Sequence, residues 1–138
     1  MAKVIQYQAG MSNGFFVTDG DAVIAVDGGA LYGAQYAQKA CDDAGIDPKS
    51  IRLIVVSHPH VDHTCNLEEL RKLSGAPIAV NRAGAEDMIY AERPHVFPRC
   101  KIGDEIMEFA KSQGGMPDDY LPPIIPDIAW EGELDLHP

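Results

Sequence analysis

Cysteine is scarce in this chain. Cys41, Cys65 and Cys100 are the only three in 138 residues, and no two form a CxxC pair. A disulfide framework or a thiolate zinc cluster needs more sulfur at closer spacing, so these read as reduced thiols of a cytoplasmic protein. Positive charge is scarce as well. Eleven Lys and Arg stand against 21 Asp and Glu, giving a net charge of −10. No basic cluster breaks that balance, which argues against nucleic acid as a partner. No apolar run approaches the roughly 20 residues of a membrane helix. The opening MAKVIQYQAG has no apolar core of signal-peptide length. Internal repeats and low-complexity tracts are absent too. What remains is ordinary for one globular domain: 46% hydrophobic and 23% charged residues. The partner expected of such a chain is a small molecule.

The order of elements is readable in outline. Two β-prone runs, Phe15 to Thr18 and Ala22 to Val26, flank Asp19-Gly20, a pair that tolerates the positive φ of a hairpin turn. Asp27-Gly28-Gly29 makes a tight exit. Ala30, Ala34, Ala37, Cys41 and Ala44 then fall on one helical face, ending at Gly45. The uninterrupted run Leu53 to Val56 predicts a strand buried on both faces. A helix follows with Leu67, Leu70 and Leu73 inward, acidic residues early, basic residues late and Gly75 as its stop. APIAVN predicts a further strand and AGAEDMIYAE a further helix. The reading is an α/β layer with helices on a mixed sheet. Residues 1–93 are expected to form the core half. Residues 94–130 are expected to be a covering loop with one short helix begun by Asp104, because Pro117, Pro122, Pro123 and Pro126 exclude helix or central strand.

Three of the five histidines crowd into SHPHVDHTCN, residues 57–66. His58, His60, Asp62 and His63 begin where the Leu53 to Val56 strand stops, the place where α/β proteins build sites on a rigid sheet. Pro59 keeps His58 out of the helical region, so the first two imidazoles project from an extended turn. At this chain's own residue frequencies, HxHxDH arises by chance on the order of once in a thousand such sequences. Imidazoles with a carboxylate and no thiolate suit zinc, with iron and manganese also compatible.

SHPHVDHTCNLEEL resembles the HxHxDH signature of the metallo-β-lactamase-fold hydrolases. NGFFVTDGDAVIAVDGG resembles that family's first hairpin and its strand ending in Asp-x-Gly, so the likeness runs from about Met11 to Val80. The resemblance implies an αββα sandwich, of which this chain would hold the N-terminal half to two-thirds. It implies two divalent ions, His58 and His60 on the first and Asp62 and His63 on the second. Asp62 would also act catalytically on the nucleophile, and Asp27 would orient the ligands or serve the structure. Ser57 stands where threonine is common. The implied reaction is hydrolysis by a metal-activated hydroxide, with thioesters, lactones and related acyl compounds ranked ahead of phosphodiesters.

The family's remaining ligands, a histidine after a TPGH-like turn, a bridging aspartate and a last histidine, have no matching motif. WEGELDLHP resembles the strand pair before that turn, which makes an excerpt of a longer hydrolase the first expectation. The alternative is a metal-binding or interaction module without catalysis, since two ligands per ion fall short of the three a catalytic zinc usually keeps. A persulfide-type oxidoreductase on the same fold is a further alternative; the flavin-linked branch typically has glutamate where this chain has His60. His137 reads as a surface residue before a ligand, His95 as one before a substrate contact, Cys65 as a buried helix residue before a redox-sensitive neighbour, and Tyr120 and Trp130 as loop residues packing on the core before a substrate mouth. One sheet of a two-sheet sandwich also predicts an uncovered apolar face, and hence aggregation or a homodimer for these residues alone.

Overall fold

A computed structural model describes residues 1–90, 108, 112 and 123–135. Its centre is one six-stranded sheet in the order β1-β2-β3-β4-β5-β6. Strands β1 (Lys3–Ala9), β2 (Ser12–Asp19) and β3 (Ala22–Val26) form an antiparallel meander. Strands β4 (Ile51–Val56), β5 (Ile78–Asn81) and β6 (Ile128–Trp130) continue it in parallel. Helix α1 (Ala34–Ala44) leads through a 3₁₀ turn at Pro48–Ser50 into β4. Two short helices, α2 (Val61–Thr64) and α3 (Leu67–Ser74), join β4 to β5, and α4 (Arg82–Tyr90) follows β5. No helix among the described residues is long and apolar enough to cross a membrane.

The Asp19-Gly20 hairpin is present, with Asp19 opposite Ala22. Left-handed backbone at Gly45 and Gly75 ends α1 and α3 where the sequence places those stops. Helix α1 starts later than the alanine spacing predicts. Gly33 is its N-cap, its inward face is Ala37, Ala40 and Cys41, and Ala34 is exposed. Ala30 is buried instead in the loop, where its N–H donates to Ala9 O at 3.0 Å.

One face of the sheet is dry. Tyr7, Phe16, Ala25, Ile54, Val56, Ile78 and Val80 form its core. Helices α1 and α3 pack on each other and against β1 and β4 respectively. The opposite face differs from the expectation of a strand buried on both sides. Register places Val17, Ile24 and Leu53 in one row there, and Phe15, Val26, Val55, Ala79 and Ile128 in another. Leu53 and Val55 are only half-buried, while their neighbours Ile54 and Val56 lie in the core. A run without polar interruption cannot show which of its two faces is better covered. Leu53 to Val56 and Ile78 to Val80 read in sequence as the supply of the uncovered face, but the same register gives that face only Ala79 of β5, while Ile78 and Val80 point into the core.

The proline-rich stretch also differs from a covering loop, because Ile128–Trp130 is a strand beside β5. It begins after the last proline and lies at the sheet edge, where proline nearby costs no ladder bond. Ile124 is a core residue, so the core extends past the boundary expected at residue 93. Arg71 pins this segment by donating to Ile125 O at 2.9 Å and pairing with Asp127 at 3.1 Å. Asp127 also accepts from Ile78 N at 2.8 Å. Glu108 and Ser112 are helical, within the short helix expected after Asp104. His95, Cys100, Asp104, Tyr120 and His137 lie outside the described residues.

Candidate metal centre

The parallel strands β3 and β4 end side by side, and the chain turns sharply after each. Asp27 follows β3 with φ of 64°, a left-handed conformation that Asp tolerates better than most residues. Its backbone is clamped on both sides. Asp27 N donates to Val55 O at 2.9 Å, and the buried Tyr7 hydroxyl donates to Asp27 O at 2.7 Å. Burial pushes the Tyr7 phenol well above its ordinary pKa, which keeps it a donor. Gly28 then approaches the α2–α3 region closely enough for its N–H to donate to His63 O at 2.6 Å. A Cβ at Gly28 would lie 2.7 Å from Leu67 N, so only glycine permits this contact.

The clamp buries the Asp27 side chain beneath the histidine turn, with the residue 3% exposed. Its Oδ1 accepts from Ser57 N at 2.8 Å, its Oδ2 from Ser57 Oγ at 2.8 Å, and Oδ2 also meets His63 Nδ1 at 2.9 Å. Ser57 Oγ in turn lies 2.9 Å from His58 Nδ1. Extended backbone at His60 caps α2, and Thr64 Oγ1 closes the turn by donating to His60 O at 3.1 Å. Ser12, buried at the start of β2, donates to the backbone oxygen of Asp62.

The result is a compact cluster. The His58 ring centroid lies 4.4 Å from that of His60 and 4.1 Å from that of His63. His63 Nε2 and Asp62 Oδ2 are 3.4 Å apart, with side chains 21% and 28% exposed. That distance is long for a hydrogen bond. It matches the roughly 3.4 Å between two donors of one tetrahedral ion with bonds of about 2.1 Å. Burial and the neighbouring imidazoles of His63 and His60 lower the His58 pKa, which favours the neutral, ligating form. In donor type, and in the spacing of His63 and Asp62, these residues suit a divalent ion. They offer pairs of donors: among the described residues no three His, Cys, Asp or Glu are placed to hold one ion.

Sequence reasoning singled out the four donors and, through the resemblance, Asp27. It missed Tyr7 and Ser12, which hold the turn from β1 and β2. Trp130 sits in β6, partly buried against the core. Cys65 is buried, and burial raises its thiol pKa to about 12, so it is not a reactive neighbour of the cluster.

Residues 7–138 match the profile of the metallo-beta-lactamase superfamily. Among solved structures, a metallo-beta-lactamase with a HARLDQ motif from Cronobacter sakazakii superposes with a TM-score of 0.66 at 19% identity, over 91% of this chain and 39% of its own. A metallo-beta-lactamase from Novosphingobium pentaromativorans gives 0.60 at 23% identity, over 86% and 38%. A class B3 di-zinc metallo-beta-lactamase from an Alaskan soil metagenome gives 0.61 at 18% identity, over 86% and 39%. The likeness is one of fold, a mixed sheet with helices packed on it, and the chain spans about two fifths of the length of each.

Proposed function

The chain belongs to the metallo-beta-lactamase superfamily, and from that premise we propose that it carries the N-terminal ligand set of a dinuclear metallohydrolase. His58 and His60 would hold one divalent ion, Asp62 and His63 the other, with zinc the first choice. The observation that carries this reading is the buried carboxylate of Asp27, which holds His63 Nδ1 while His63 Nε2 faces Asp62 Oδ2 at 3.4 Å. Bound ions of this kind supply Lewis acidity and ease the deprotonation of water near neutral pH.

The chain's own residues do the rest. Asp27 and Ser57 orient the imidazoles, and Asp62, partly open to solvent, offers a carboxylate oxygen to an attacking water. The net charge of −10 disfavours polyanions, so the substrate is a small ester-like acyl compound, a thioester or lactone before a phosphodiester. Reduced Cys41 and Cys65 favour a reducing compartment such as the cytoplasm. One observation favours a second reading, metal binding without catalysis: the described residues offer pairs of donors where a catalytic zinc usually keeps three protein ligands.

Metal-loaded full-length protein assayed on acyl and phosphodiester panels separates these readings. Hydrolysis of thioesters or lactones that Asp62→Asn abolishes is the expected result. Cleavage of nucleic acid alone would overturn the substrate order, and metal uptake without any turnover would favour the second reading.

A further inference from the structure

The contacts around Asp27 determine more than the position of His63. A carboxylate can only accept hydrogen bonds, and Asp27 Oδ2 is met by both Ser57 Oγ at 2.8 Å and His63 Nδ1 at 2.9 Å. The first contact uses the one proton of the Ser57 hydroxyl. Ser57 Oγ lies 2.9 Å from His58 Nδ1 as well. At that second contact the hydroxyl has no proton left to give, so it accepts and the imidazole donates.

We propose that Ser57 is a positioning residue that relays the acceptor character of Asp27 to His58, holding its neutral ring in the Nδ1–H tautomer. His63 is held in the same tautomer by direct contact with Asp27. Both rings therefore keep Nε2 as a lone pair, the form a metal ligand requires. An imidazole in water favours the opposite, Nε2–H form, so the network works against an intrinsic preference. One buried carboxylate thereby sets two imidazoles whose ring centroids lie 4.1 Å apart. The tautomers follow from hydrogen bonds within the protein alone. Only their consequence for ion binding rests on the function proposed above.

The geometry also supplies a clean perturbation. The Ser57 backbone N–H donates to Asp27 Oδ1 at 2.8 Å whatever the side chain. Ser57→Ala therefore removes the relay and keeps the anchor of the turn. Metal-free, ¹⁵N-labelled full chain is studied by long-range ¹H–¹⁵N correlation, at a pH where both imidazoles are neutral. In the wild type, His58 and His63 are both Nδ1–H. In Ser57→Ala, His58 moves to the Nε2–H form and His63 does not change. Ser57→Thr restores His58, which a merely structural role for the side chain would not require. Asp27→Asn inverts both rings, because its amide donates to Ser57 Oγ and His63 Nδ1 and frees the hydroxyl proton for His58.

Zinc affinity, read by competition with a chromogenic chelator, falls about 10-fold in Ser57→Ala and returns in Ser57→Thr. A wild-type His58 in the Nε2–H form, or a His58 tautomer indifferent to Ser57→Ala, overturns the relay. If the tautomers respond as stated and the wild type takes up no zinc, the relay stands and the metallohydrolase reading falls.

Discussion

Replacing Asp27, a residue 3% exposed, by alanine removes a buried carboxylate bonded to Ser57 N, Ser57 Oγ and His63 Nδ1. A buried donor left without a partner costs about 1–3 kcal/mol. Ser57 is an exposed residue and the His63 side chain is 21% exposed, so water can reach both after small movements. The loss therefore lies toward the low end for each bond, about 2–4 kcal/mol in total. Backbone conformation adds a second, separable effect. Residue 27 has φ of 64°, where a Cβ without a local hydrogen bond costs about 1 kcal/mol relative to glycine. Asp27→Gly loses the same carboxylate without that strain, and should be about 1 kcal/mol more stable than Asp27→Ala. Urea unfolding of dilute protein, followed by the fluorescence of Trp130, measures both differences. Trp130 is the only tryptophan, and it packs on the core from β6. An alanine variant within about 0.5 kcal/mol of wild type would refute the hydrogen-bond argument. Equal stability of the two variants would refute the backbone argument.

Arg71→Ala should release residues 123–130 from α3, at a cost of about 1–2 kcal/mol. Faster amide exchange at Asp127, whose N–H donates to Ile78 O at 2.8 Å, would report it, and unchanged exchange would contradict it. Asp127 should also give the protein an acid-sensitive component. The Ile78 N–H and the Arg71 guanidinium hold its carboxyl below the usual aspartate range. Its stabilisation is therefore complete above the unfolded pKa of about 4 and is lost as pH falls through the lower folded value. Unfolding midpoints from pH 7 downward should show that loss in wild type and not in Asp127→Asn. Burial raises the thiols of Cys41 and Cys65 to about 11 and about 12. Iodoacetamide at pH 8 should leave both unlabelled by mass spectrometry until the chain is unfolded, and native labelling at the rate of a free thiol would contradict the packing. The half-covered row Val17, Ile24 and Leu53 should make the isolated 138 residues self-associate. Light scattering should show smaller particles for Ile24→Lys, and a monodisperse wild-type monomer would contradict the expectation.

The parts of the fold visible in the sequence are those written locally. Asp19-Gly20, the Leu53 to Val56 run and the stops at Gly45 and Gly75 each carry their signal within a few residues. Strand β1 was missed although Ile5, Tyr7 and Ala9 alternate with more exposed residues, because it is an edge strand whose pairing is set by β2. Strand β6 was missed because three residues after a proline carry no periodicity, and their order comes from β5 and Arg71. The cluster of candidate donors was legible because four of them fall within six positions of a strand end. Tyr7 and Ser12 were not, since they reach Asp27 and Asp62 across sequence separations of 20 and 50 residues. Nothing in the neighbourhood of either residue encodes such a contact. Ser57 was visible only as a variant of a familiar position; its relay emerges from the hydrogen bonds.

His58, His60, Asp62 and His63 are proposed to bind divalent metal. Elemental analysis of the dialysed full-length protein after zinc loading tests this most directly, with His58→Ala/His60→Ala and Asp62→Ala/His63→Ala variants alongside. Each double variant should retain its fold by circular dichroism and lose one ion relative to wild type. A wild type without zinc, or double variants with its full stoichiometry, would contradict the proposal.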